Sequence, residues 1–151
     1  MISYLKEIRM GLDNGIILET KVPIRYRPWF TEFELTDEGV DDKGNKFYCY
    51  DLTYWRKCWG LRQEIFEAIG EKVDDETYEY NLGLEELKNI IKVLFTVNNP
   101  YKWNALSGIW EYENRTIGKA LTYQIGTLMW TYEWWNKRPQ DIIRCYFYDS
   151  Y

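Results

Sequence analysis

Residues Thr116 to Asn136 read TIGKALTYQIGTLMWTYEWWN, and this stretch sets the architecture. Only Lys119 and Glu133 are charged across it. Ile117, Leu121, Ile125, Leu128 and Tyr132 recur at helical spacing on one face, and Tyr123, Trp130 and Trp134 mark another. A helix that is apolar on most sides is buried on most sides, so the pattern predicts a core helix, central among its neighbours. Gly118, Thr122 and Gly126 form a small-residue strip along which another element can approach closely.

Downstream, Pro139 separates this helix from a last strand, Ile142 to Tyr148. Upstream, Tyr101 to Glu113 reads as an aromatic-rich loop holding Trp103, Trp110 and Tyr112. A second helix runs from an Asn81 cap to about Val97 and buries Leu84, Leu87, Ile91, Leu94 and Phe95. Thr77 to Tyr80 is short and extended. A first helix is expected from Leu52 to Ile69, with Asp51 as N-cap and Gly70 just past its end. Tyr54, Cys58, Leu61, Ile65 and Ala68 make its apolar stripe, widened by Trp55, Trp59, Phe66 and Ile69.

Before it, Phe47 to Tyr50 reads as a short strand after a polar loop, Asp37 to Lys46. Trp29 to Leu35 fits a strand or a short helix equally well. Ile16 to Val22 is a strand entered through the turn-like Asp13-Asn14-Gly15. The sum is an α+β fold. A small, mostly antiparallel sheet packs against three helices, the third central, in a single domain over residues 1–151.

Composition narrows the function. The chain has 8 Trp, 14 Tyr and 6 Phe but no His, so the commonest general base and zinc ligand are missing. Large half-polar rings without imidazole favour recognition over catalysis. The net charge of −5 disfavours bulk DNA or RNA binding, which needs local basicity. No apolar run is long enough to span a membrane, and Met1 to Glu7 lacks the apolar core of a signal peptide, so a cytoplasmic location is expected. Cys49, Cys58 and Cys145 have no C-x-x-C spacing and read as reduced thiols.

Searches for chemistry are mostly negative. Gly118-Lys119 lacks the remaining positions of a P-loop. Asp41-Asp42-Lys43-Gly44-Asn45 lacks the register and distal Glu of a calcium loop. Asp74-Asp75-Glu76 reads as a charged loop more readily than a magnesium site. No catalytic residue, metal or cofactor is assigned. The positive signal is Arg and Lys interleaved with aromatics. One cluster is Arg25-Tyr26-Arg27-Pro28-Trp29. A second is Tyr54-Trp55-Arg56-Lys57 with Trp59 and Arg62. The third is Trp134-Trp135-Asn136-Lys137-Arg138. Such sets bind phosphate or carboxylate through guanidinium and stack on indole. Rings in the core with basic stems running past them is the plainer reading of each cluster taken singly. The candidate ligand-binding residues are Arg62, Trp59, Trp55, Arg56, Arg25, Arg27 and Trp29. Arg62 carries most weight, because a guanidinium on an apolar flank needs an anionic partner. That partner is either an internal acid, for example Glu32, Glu34 or Glu111, or a ligand phosphate.

Met10-Gly11-Leu12-Asp13 followed by a strand, and Tyr54-Trp55-Arg56-Lys57 opening a helix, resemble a loose group of small phage and prophage proteins. The likeness covers about residues 10–95, and its motifs are short. It implies a mobile element inside a bacterial cell and carries over no catalytic residue. It also implies Met10 as the natural start, because Lys6-Glu7-Ile8-Arg9 is encodable by a purine-rich ribosome-binding sequence. Residues 1–9 are otherwise an authentic arm. The expected function is non-enzymatic: an anti-defence or host-interaction protein that sequesters a nucleotide-like signal or occupies a host protein. The rivals are a carboxylate- or metal-dependent enzyme and a homo-oligomeric structural component.

Overall fold

The computed structural model describes residues 12–96, 101–104, 106, 108–112 and 117–150, the side chains of 101–104, 109–112 and 117–121 excepted. The elements run β1 (Asp13–Thr20), β2 (Glu34–Val40), β3 (Lys46–Arg56), α1 (Trp59–Ile69), β4 (Glu79–Asn81), α2 (Leu84–Thr96), β5 (Tyr101–Asn104), β6 (Ile109–Tyr112), α3 (Ile117–Lys137) and β7 (Ile142–Ser150). Five strands form one antiparallel sheet in the order β2-β3-β1-β7-β4, so the fold is α+β.

Alternation decides which face is buried. Asn14, Ile16 and Leu18 of β1 pair with Trp55, Thr53 and Tyr50 of β3, and these residues share the core face. Cys145, Phe147 and Asp149 of β7 lie on the same face. The helices cover it with Leu61, Ile65 and Phe66 from α1, Leu87, Ile90, Ile91 and Leu94 from α2, and Leu128 from α3. Phe66 meets Tyr80 and Phe147 edge-on, with centroids 5.0 and 5.6 Å away. Helix α2 packs against both α1 and α3. The described part of α3 buries Gln124, Thr127, Leu128 and Thr131 and exposes Tyr123 and Met129. Its small-residue strip is used at Gly126, where a Cβ would stand 2.5 Å from the Phe30 carbonyl oxygen.

Several elements depart from the expected ones. The first helix starts at Trp59, not Leu52, and Leu52 to Arg56 complete the eleven-residue strand β3. Tyr-Trp-Arg-Lys is therefore a strand end, and Asp51 caps nothing. The break falls at Lys57, in the left-handed region at φ 56°, whose N–H donates to the Leu12 carbonyl at 2.7 Å. At the other end Gly70 takes the expected left-handed cap, φ 72°.

Asp13-Asn14-Gly15 is not a turn but the start of β1. Gly15 is needed there because the Tyr148 ring lies over it, and a Cβ would sit 2.5 Å from the Tyr148 hydroxyl. The polar loop shrinks to a tight turn after β2. In it Asp41 Oδ1 accepts from the Lys43 and Asn45 N–H groups at 2.9 Å each. Asn81 belongs to β4 instead of capping α2, and Phe95 is exposed while Ile90 is buried in its place. The aromatic loop contains a hairpin, β5 with β6. Residues 1–9, Met10-Gly11 and Thr116 lie outside the described residues, as do the side chains of Trp103, Trp110 and Tyr112.

All three cysteines are free thiols. Burial pushes the Cys145 thiol up to about 12, and Cys49, half-buried, is raised less. Alkylation of the native protein should therefore mark Cys49 well ahead of Cys58 and Cys145. Peptide mass mapping over time reads this order, and equal rates would show that the sheet interior opens freely.

Candidate binding cleft

The first and third basic-aromatic clusters, more than a hundred residues apart in sequence, meet in space. The Lys21 N–H donates to the Asp141 carbonyl at 2.8 Å, and the Ile24 N–H donates to the Tyr50 hydroxyl at 2.7 Å. These bonds lay residues 22–26 alongside the C-terminal end of α3. Between them opens a cleft of about 430 Å³ lined by Ile24, Arg25, Tyr26, Trp130, Trp134 and Arg138, with Val22 and Pro23 at its margin.

Trp130 and Trp134 of its wall continue a stacked row that starts at Phe33 in the core. Phe33 and Trp130 lie 5.1 Å apart at 19°, Trp130 and Trp134 lie 6.3 Å apart at 23°, and the Arg138 guanidinium sits 5.3 Å from the Trp134 ring. Arg25 and Arg138 are both exposed. Lys137 and Arg138 also complement the helix end, which carries roughly half a negative charge. Arg25 and Arg138 set two guanidinium groups at the cleft against that dipole.

The other predicted site residues fall elsewhere. Arg27 lies beside the cleft and donates through Nη1 to the Phe33 carbonyl at 3.2 Å. Trp29 is 85 % exposed and meets Phe30 edge-on at 5.8 Å. Arg56 is exposed at the end of β3. Trp55 is fully buried, and its indole N–H donates to Gln124 Oε1 at 2.7 Å, which corrects its assignment as a contact residue.

Arg62 has an internal acid, though neither Glu32 nor Glu34, and the Glu111 side chain lies outside the described residues. Its Nε and Nη2 reach Asp149 Oδ1 and Oδ2 at 2.7 and 2.8 Å. The guanidinium also lies 5.5 Å from the Trp59 ring and 5.4 Å from the Phe66 ring. Asp149 accepts a further bond from Asn14 Nδ2 at 2.7 Å. The pair ties α1 to β7 through two charge-assisted bonds inside an apolar layer.

Sequence reasoning missed a second concavity. Glu32, Glu34 and Asp51 converge with Leu52, Thr53, Tyr54 and Gln124 around about 300 Å³. Burial, then Asp51 and Glu34, raise the Glu32 carboxyl, and burial with Glu34 raises Asp51. A carboxyl whose folded pKa stands above its unfolded value weakens the fold at neutral pH. That cost fades as pH falls through the folded value. Among the described residues no three His, Cys, Asp or Glu side chains gather so as to hold a metal ion. No helix among them is long and apolar enough to cross a membrane.

No family model, curated protein or solved structure matches this chain.

Proposed function

We propose that the protein works by binding, and that its ligand is a small aromatic anion of nucleotide type held in the Arg25–Arg138 cleft. The observation that carries this reading is the convergence of two unrelated stretches to place two guanidinium groups beside a wall of stacked indoles. Guanidinium meets phosphate bidentately, and indole and phenol faces stack on a base. The cleft volume lies in the range of small-molecule sites. The absence of histidine from the sequence agrees with occupancy as the mode of action. The resemblance to small phage proteins supplies the setting, in which sequestering a nucleotide signal or covering a host protein blunts defence.

The test is tryptophan fluorescence and calorimetry with mono-, di- and cyclic nucleotides. Binding is expected to quench Trp130 and Trp134. Arg25→Ala and Arg138→Ala should each weaken it about tenfold, as loss of a charge-assisted bond does. Both side chains are exposed, so stability should move by less than about 0.5 kcal/mol. Absence of binding across the panel, or unchanged affinity in both variants, defeats the reading.

A second reading, carboxylate catalysis, draws on the raised carboxyls of Glu32 and Asp51 in the other pocket. It requires an activity that Glu32→Gln abolishes.

A further inference from the structure

The acidic pocket sits where the sheet runs out of partners. Strand β2 pairs with β3 from Lys46 to Asp51 and there leaves it. The chain before β2 is drawn toward α3, where the Glu32 N–H donates to Thr127 Oγ1 at 2.8 Å. Among the described residues, Leu52 to Arg56 therefore pair only with β1, and the outer edge of this five-residue stretch carries no strand. An edge of this kind offers unpaired N–H and C=O groups to an incoming chain.

The register also breaks here. Ile16 pairs with Thr53 and Ile17 with Asp51, so Leu52 is an extra residue, a bulge beside the pocket. Asp51 goes to the open face of the sheet and Thr53 to the helix side, and both line the same concavity. Thr53 is 2 % exposed, and its hydroxyl has no hydrogen-bond partner among the described residues. Asp51 is half-buried, and its buried Oδ1 has none among them either. A buried hydroxyl without a partner is costly, and a donor or acceptor brought into the pocket would remove that cost at Thr53.

We infer that this pocket receives the ammonium or guanidinium group of a basic peptide whose backbone adds as a strand to the Leu52–Arg56 edge. The lining carboxylates and the Thr53 hydroxyl suit such a cation, and an edge that carries no strand among the described residues offers main-chain pairing. The net charge of −5 draws a basic segment toward the protein. The carboxyls of Glu32 and Asp51, raised by burial first and by neighbouring carboxylates second, fit as well: an incoming cation offsets the repulsion that Glu34 adds to both.

The experiment titrates full-length protein with a short peptide of alternating Lys and Val, with spermidine and magnesium as comparison probes. The peptide should bind, more weakly as salt rises, and at least tenfold more tightly than either probe. Asp51→Asn and Thr53→Val should each weaken peptide binding about tenfold. Asp51→Asn should at the same time melt at a higher denaturant concentration, because it removes a charge that burial, and then Glu34, disfavours. The Arg25→Ala variant should bind the peptide unchanged, which separates this site from the nucleotide cleft. Four outcomes overturn the proposal: no peptide binding, spermidine or magnesium binding as tightly as the peptide, unchanged affinity in both variants, or a lower melting midpoint in Asp51→Asn.

Discussion

Replacing Asp149 with alanine should destabilise the fold by about 3–5 kcal/mol, as breaking a buried ion pair from one side does. The Asp149 side chain is 0 % exposed and that of Arg62 is 11 % exposed. The carboxylate binds α1 through Arg62 and β1 through Asn14, so its loss strips bonds from two neighbours at once. Asp149→Asn should recover little, because a neutral amide offers one acceptor where the guanidinium uses two. The double replacement Arg62→Met with Asp149→Leu should cost less than Asp149→Ala alone, since neither charge is then left buried. Denaturant unfolding reads all three. A loss under about 1 kcal/mol for Asp149→Ala would mean the pair is ornamental.

Trp55→Ala should be of similar size, about 3–5 kcal/mol, because the indole is fully buried between the sheet and α3 and the cavity cannot fully collapse. Trp55→Phe separates packing from the polar contact. It keeps an aromatic ring but leaves Gln124 Oε1, on a residue 2 % exposed, without the indole donor, at about 1–3 kcal/mol. Neither variant should change nucleotide affinity once the folded fraction is allowed for. A stable Trp55→Ala protein that had lost binding would return this residue to the contact surface.

How far residues alone lead is visible at this same tryptophan. The stripe Tyr54, Cys58, Leu61, Ile65 is continuous at helical spacing, and Asp51 looks like a cap, so the sequence reads as one long helix. Leu52 and Trp55 are buried in a strand whose alternation is shifted by the bulge, so neither period stands out. The true boundary is a left-handed lysine, which no sequence rule marks, since glycine or asparagine is expected there. Gly70 as a cap, the body of α2, the body of α3 and the last strand were legible, because each has a strong local period or a local stop.

Tertiary pairings were not legible. That Arg62 needed an acid follows from burial, but Asp149 lies 87 positions away and has no local signature. The cleft was half legible: both basic-aromatic clusters stand out, and only the fold brings them together. The acidic pocket had no signal, because Glu32, Glu34 and Asp51 are ordinary surface letters until a strand diverges between them.

The placement of β1 between β3 and β7 governs how the protein is made. Asn14 and Asp149 are 135 positions apart and hydrogen-bonded. As the nascent chain leaves the ribosome, β1 can pair with β3, but its other edge stays bare until β7 is synthesised. The layer beneath Phe66 stays open too, since Phe147 arrives on that strand. Co-translational folding therefore cannot finish in the N-terminal half. Pairing between strands so distant in sequence slows folding and leaves the β1 edge unsealed until β7 is made.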